Sequence, residues 1–165
     1  LYYLLDRQSD FTGAIISAPL IEVGDSVSPV TITLSKILSK IAPKVGVVSL
    51  DVNAISRDPE VVRAYVNDPS VFHGKTPARM GSELLSAMMR ITEEAGKLTL
   101  PMTIVQGAED ILVKPSGAQM LYEKTSSEDK TLKIYDGMYH EVFNEPDRER
   151  VLKDVENWLE SQLNG

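Results

Sequence analysis

The chain has no cysteine and only two histidines, His73 and His140, among its 165 residues. The first absence excludes disulfides and thiolate chemistry and leaves the redox compartment undetermined. The second leaves little material for a transition-metal site, which draws on histidine and cysteine, so no metal and no cofactor is expected. Basic residues are also scarce, 17 Lys and Arg against 24 Asp and Glu, for a net charge of -7. Binding a phosphate backbone needs clustered Lys and Arg to release counterions, so nucleic acid is not an expected partner. Broad electrostatic adhesion to an anionic membrane is discouraged on the same ground. There is no internal repeat and no low-complexity tract. The opening stretch "LYYLLDRQSDF" has neither an initial methionine nor a basic segment. It is too short for a signal peptide or a membrane span. It reads as the tail of a helix, and the chain as part of a longer protein.

What is present is the make-up of a globular domain, 42% hydrophobic and 25% charged, long enough to bury a real core. "GAIISAP" (Gly13 to Pro19) is a short apolar run bounded by turn residues, as expected of a strand buried on both faces. "LPMTIVQG" (Leu100 to Gly107) is a second such run. "KTLKIYDG" (Lys130 to Gly137) is a third, setting Leu132 and Ile134 against Lys133 and Tyr135. Pro115 suits the first turn of a helix between the second and third runs. After Pro146, Val151, Leu152, Val155, Trp158 and Leu159 form the apolar stripe of a last helix. Alternating strand and helix predicts an α/β fold of three parallel strands with crossover helices.

The stretch from Leu20 to Leu98 breaks that rhythm. Ser28-Pro29, Asp58-Pro59 and Thr76-Pro77 each set a capping residue before a proline, the signature of a helix start. Val30, Leu34, Ile37, Leu38 and Ile41 recur at helical spacing after the first. Leu84, Leu85, Met88 and Ile91 recur after the last. An all-helical insertion over 20–98 is therefore expected between the strands of a core made of 1–19 and 99–165. A crossover needs only a dozen or so residues, and longer insertions usually serve function.

Two residues stand where chemistry gathers in such sheets, just past the carboxyl ends of strands: Asp110 in "QGAEDILV" and His140 in "YDGMYHEVFNE". Loops from neighbouring strands, roughly 4.8 Å apart, can bring an acid and a histidine together. A carboxylate accepting from one imidazole nitrogen would leave the other as a base. Spacing alone leaves two readings open, a functional pair or two surface residues.

The segments "SRDPEVVRAYVNDP", "LPMTIVQGAEDILVKPSGAQMLYE" and "DKTLKIYDGMYHEVFNEPDRERVLKDVENWL" resemble the monoacylglycerol lipase and lysophospholipase family of α/β-hydrolases. The resemblance covers nearly the whole chain and matches the C-terminal part of that fold. It implies Asp110 as the acid and His140 as the base of a Ser-His-Asp triad, and 20–98 as a helical cap or lid. It further implies a lipid ester as substrate. The departure is the nucleophile: no G-x-S-x-G elbow and no H-G-x-G oxyanion segment occur in Leu1–Gly165. The resemblance thus implies an N-terminal half carrying the serine, and that this portion alone is poorly soluble and inactive, with its first strand an open edge.

Other residues fit these roles less well. Ser17 and Ser82 lack the strand–turn–helix setting of an elbow. Glu109 competes with Asp110 as the acid, but the resemblance puts the acid one position later; Glu141 reads as a solvent-facing or supporting group, and His73 as a polar loop residue. Lys36, Lys40 and Lys44 recur every four residues beside the apolar face of the Ser28 helix. That pattern fits a helix making transient contact with a membrane surface and equally a solvated face over a packed core. Met88 and Met89 fit packing within the insertion, with the lining of an acyl tunnel as the other option. Two further functions stay open: a non-catalytic binding module on the same fold, and another capped hydrolase such as a peptidase, haloperoxidase or epoxide hydrolase.

Overall fold

The computed structural model describes residues 1–24 and 27–164. A short helix α1 (Leu4–Arg7) and a 3₁₀ turn lead into strand β1 (Ala14–Ser17). Then come α2 (Pro29–Ile41), β2 (Gly46–Val48), α3 (Pro59–Asn67), β3 (Thr76–Pro77) and α4 (Ala78–Glu94). The chain ends with β4 (Met102–Gly107), α5 (Pro115–Lys124), β5 (Lys130–Tyr135) and α6 (Arg148–Asn164). β1 and β5 both pair in parallel with β4, so the sheet order is β1-β4-β5. The three parallel strands and their helical connections match the expectation from sequence.

The register aligns Ile16 with Ile104 and Leu132, and Ala14 with Met102. Because side chains alternate along a strand, these residues share one face. There they pack with Leu4 and Leu5 of α1, Ile91 of α4, and Ala118 and Leu121 of α5. The other face carries Val105 and Tyr135, covered by Met138, Val142 and the α6 residues Val151 and Val155. β4 is buried along its whole length, as a central strand between two helical layers must be. Each fully buried aliphatic side chain contributes about 1.5–3 kcal/mol. Gly13 lets α6 come close, for a Cβ there would stand 3.0 Å from the Trp158 ring.

Three expectations need correction. β1 lies at the edge of the described sheet, as expected, but it is not buried on both faces: Ile15 and Ser17 are exposed outside the cluster that α6 covers. In β5 the inward residue at the end is Tyr135, whose hydroxyl donates to Asp154 of α6 at 2.9 Å, while Ile134 is exposed. The insertion is also not all helical. Thr76 and Pro77 form β3, paired antiparallel with β2, and α4 starts at Ala78 without a side-chain cap. The residue before a proline is driven toward extended backbone, which suits Thr76 to a strand. The other two starts behave as read: Ser28 Oγ accepts from the Thr31 amide at 3.2 Å and the Asp58 carboxylate from the Glu60 amide at 2.9 Å.

Helix α2 packs on α4 through its small polar residues. Ser35 and Ser39 are buried, with Ser35 close to Gly81, and the Ser35 hydroxyl is satisfied by donating to the Thr31 carbonyl at 2.8 Å. Val30, Leu34, Ile37 and Ile41 are 46% to 75% exposed. Most of the apolar stripe seen in the sequence therefore points outward, with Leu38 half-buried. Among the described residues no helix is long and apolar enough to cross a membrane.

Candidate active site

The site forms where the β4 and β5 chains leave the sheet. Past Tyr135 the chain turns back at Gly137, whose φ of +76° suits a residue without a side chain. It then lies directly on the end of β4. A Cβ on Gly107 would fall 2.0 Å from the Tyr139 carbonyl oxygen and 2.4 Å from that of Met138, so only glycine allows this approach. The two loops are stitched together by the Ala108 amide donating to Tyr135 and the Glu109 amide to Met138, each at 3.0 Å.

This crossing brings Asp110 and His140 together. Nδ1 of His140 lies 2.8 Å from Asp110 Oδ2. The Asp110 side chain is fully buried and the imidazole is 29% exposed. The same Oδ2 accepts from Gln106 Nε2 at 2.9 Å; Oδ1 accepts from the Leu112 amide at 2.8 Å and the Val113 amide at 3.1 Å. Burial pushes the carboxyl up, but the His140 ring, the Val113 amide and Gln106 outweigh it and hold the carboxyl below its ordinary value. An ionised carboxylate only accepts, so Nδ1 carries a proton and Nε2 is the nitrogen left to act as a base. Nε2 has no hydrogen-bond partner among the described residues. The arrangement can take a proton at Nε2 and stabilise the resulting cation through the carboxylate.

An apolar cavity of about 230 Å³, which neither member of the pair lines, is bounded by Val23, Ile32, Leu84, Leu85, Met88 and Leu112. It spans α2, α4 and the loop that follows Asp110. That loop is fastened to the chain after β1 by the Val23–Val113 bridge and by the Gly24 amide donating to Leu112 at 3.0 Å.

Among the described residues, none of the remaining sequence candidates is hydrogen-bonded to the side chains of the pair. Glu109 is exposed; Glu141 accepts from Asn144 Nδ2 at 2.7 Å. His73 Nε2 is 3.2 Å from the Asp68 carbonyl, with its ring edge-on to Tyr65. Ser17 is exposed at the end of β1, and Ser82 sits within α4, where its carbonyl accepts from Ser86 Oγ. Lys36, Lys40 and Lys44 are exposed. Met88 lines the cavity and Met89 points to solvent. The sequence reading did not single out Gln106, Arg57 or Glu145. Gln106 is wholly buried against Asp110, and its position four residues before an acid, on the same strand end, was the available signal. Arg57 and Glu145 stand in the quoted "SRDPEVV" and "YHEVFNE" segments, and only the fold joins them.

The profile of the family described as serine aminopeptidase, S33, matches residues 1–147. A monoacylglycerol lipase of Mycolicibacterium smegmatis is 43% identical over 154 residues, covering 93% of this chain and 55% of that protein. A monoglyceride lipase of Rattus norvegicus is 32% identical over 161 residues, covering 96% of this chain and 53% of that protein. The crystal structure of Paleococcus ferrophilus monoacylglycerol lipase superposes with a TM-score of 0.89 at 28% identity, covering 97% of this chain and 63% of that one. The chain spans about half the length of the curated relatives it matches.

Proposed function

The chain belongs to the serine aminopeptidase S33 family, and from its similarity to monoacylglycerol lipases we propose that it is part of a serine ester hydrolase acting on monoacylglycerols or lysophospholipids. His140 is its base and Asp110 its acid. The nucleophilic serine comes from a G-x-S-x-G elbow upstream of Leu1, a reading supported by the half-length coverage of the relatives. His140 Nε2 takes the serine proton as the hydroxyl attacks the ester carbonyl, then gives it to the glycerol oxygen as the bond breaks. Water repeats the cycle and releases the fatty acid. Asp110 holds the ring in the right tautomer and stabilises the imidazolium.

The observation that carries this reading is the 2.8 Å bond from His140 Nδ1 to a buried carboxylate that also accepts from Gln106 and two amides. A solvated surface pair has no use for that many donors. The stretch over 20–98 acts as the cap: its apolar cavity shelters the acyl chain, and the outward stripe of α2 with Lys36 and Lys40 makes transient contact with lipid.

The test is labelling of the natively produced protein with a fluorophosphonate, read by intact mass, beside turnover of a monoacylglycerol by wild type and Asp110→Asn. A single adduct on a chain heavier than 18.2 kDa, with turnover cut about 10³–10⁴-fold in the variant, is expected. An unlabelled protein, or a variant of near-normal turnover, rejects the reading.

A further inference from the structure

The loop that carries His140 is gripped by a segment from the insertion, at a distance of more than eighty positions along the chain. Glu145 is completely buried, and its Oε1 accepts from the Tyr139 amide at 3.0 Å and from the Arg57 amide at 3.1 Å. Its Oε2 accepts from Arg57 Nε at 2.6 Å. On the other side of the histidine, the Glu141 amide donates to the Ile55 carbonyl at 2.7 Å. Ser56 Oγ donates to the Asn144 carbonyl at 2.9 Å and accepts from the Asp58 amide at 3.0 Å. Ile55 and Ser56 are as buried as the core. Both residues flanking His140 are thus fixed by their backbone amides, one to Glu145 and one to Ile55. The Arg57 guanidinium is held further in its charged form by Glu145 and then by Asp147, which its terminal nitrogen reaches at 3.1 Å.

A buried carboxylate has a strong reason to be paired, and among the described residues the only cation bonded to it is Arg57. Gly107 lets the histidine loop rest on β4 but supplies no bond to direct the ring. The bonds that fix the loop's backbone on either side of the imidazole come from Glu145 and Ile55. We infer that Arg57, acting through Glu145, is a positioning residue that seats the His140 imidazole on Asp110, so that the pair is aligned only while the insertion is docked. This rests on the proposed roles of His140 and Asp110 and adds to them a control point outside the sheet. A misplacement of about 1 Å at a reacting group can cost on the order of a hundredfold in rate.

The experiment compares Arg57→Ala, Arg57→Lys and Glu145→Gln with wild type in the full-length protein, well below each variant's Tm. Two readouts are taken: kcat and KM on a soluble short-chain ester, and the downfield Nδ1 proton resonance of His140, assigned through His140→Gln. Arg57→Ala is expected to lose about ten- to a hundredfold in kcat with KM within about twofold, and to lose or broaden the resonance. Arg57→Lys, which keeps the charge, is expected to be intermediate in both. Should Arg57→Ala fail to fold, Glu145→Gln decides, since it preserves volume while removing the charge. A folded variant whose Nδ1 resonance matches wild type overturns the inference whatever its rate. If wild type shows the resonance but no hydrolysis, the proposed activity falls, and the seating of His140 is judged on the resonance alone.

Discussion

Helices α2 and α6 both carry an apolar stripe at helical spacing and differ in how much of it the fold covers. In α6 part of the stripe is what the sheet needs: Val151 and Val155 are buried against Val105 and Tyr135, and Trp158 reaches the gap left by Gly13, while Leu152 and Leu159 stay exposed. In α2 most of the stripe is on the outside, the buried residues are Ser35 and Ser39, and Ser35 lies against Gly81 of α4. The period of hydrophobicity reveals that a helix has two faces. It does not reveal which face the rest of the molecule covers. Small residues permit close helix contact wherever apolar bulk is not required, and Ser35 spends its hydroxyl on its own helix. A stripe left uncovered in this way is the kind of surface that meets lipid.

The largest test of this contrast is Val151→Asp. It puts a carboxylate into a closed apolar cluster and is expected to cost about 4 kcal/mol or more, enough to remove most of a domain's stability. Urea titration of the full-length protein measures it, and a loss below about 1 kcal/mol would mean that α6 is not the cover it appears to be. Next comes Asp110→Asn, expected to cost about 2 kcal/mol near neutral pH through its weakened charged hydrogen bonds. Its pH dependence has a definite sign. The Asp110 carboxyl is depressed in the fold, so its ionised form contributes stability that is present above the ordinary carboxylate value. That contribution is lost as the pH falls through the lower, folded value. The gap between wild type and Asp110→Asn should therefore narrow below about pH 4. A gap that stays constant down to pH 2 would contradict the depressed carboxyl.

How much of this was legible in the sequence differs between the same two regions. The strands of the sheet and the helices between them follow from short apolar runs, while what lies just past their ends left open whether Asp110 and His140 form a pair. The resemblance of "QGAEDILV" and "YHEVFNE" to a known family sharpened that reading. The corrections share one cause, since period and propensity are local while burial is set by what packs from elsewhere. Ile15 reads as core but lies outside the α6 cluster. Tyr135 reads as outward but finds Asp154. The Arg57–Glu145 pair was hidden for the same reason, because nothing in "SRDP" points to a glutamate that only the fold brings near.

Ser35→Leu tests the buried side of α2. The site abuts Gly81, so added bulk must spread the two helices, at an expected cost of about 1–3 kcal/mol. A neutral or stabilising result would mean that the α2–α4 contact is loose, and that serines are there for want of packing rather than to allow it.

The smallest expected effect on stability lies on the outer side and is the most informative about function. Ile37 is 54% exposed at the middle of the α2 stripe, with Lys36 and Lys40 beside it. Ile37→Asp should change the unfolding free energy by no more than about 0.5 kcal/mol, as surface substitutions usually do. If the stripe enters lipid, the same change removes an apolar side chain from the interface and adds a charge there. Binding to phosphatidylcholine vesicles should then weaken by about tenfold or more, while turnover of a soluble short-chain ester stays within about twofold of wild type. The two halves of the measurement separate the alternatives. A loss of 2 kcal/mol in stability would show that the stripe is covered in the full-length protein, and α2 would then differ from α6 only in what covers it. Unchanged stability with unchanged vesicle binding would leave the stripe exposed but idle, and would remove α2 from the membrane.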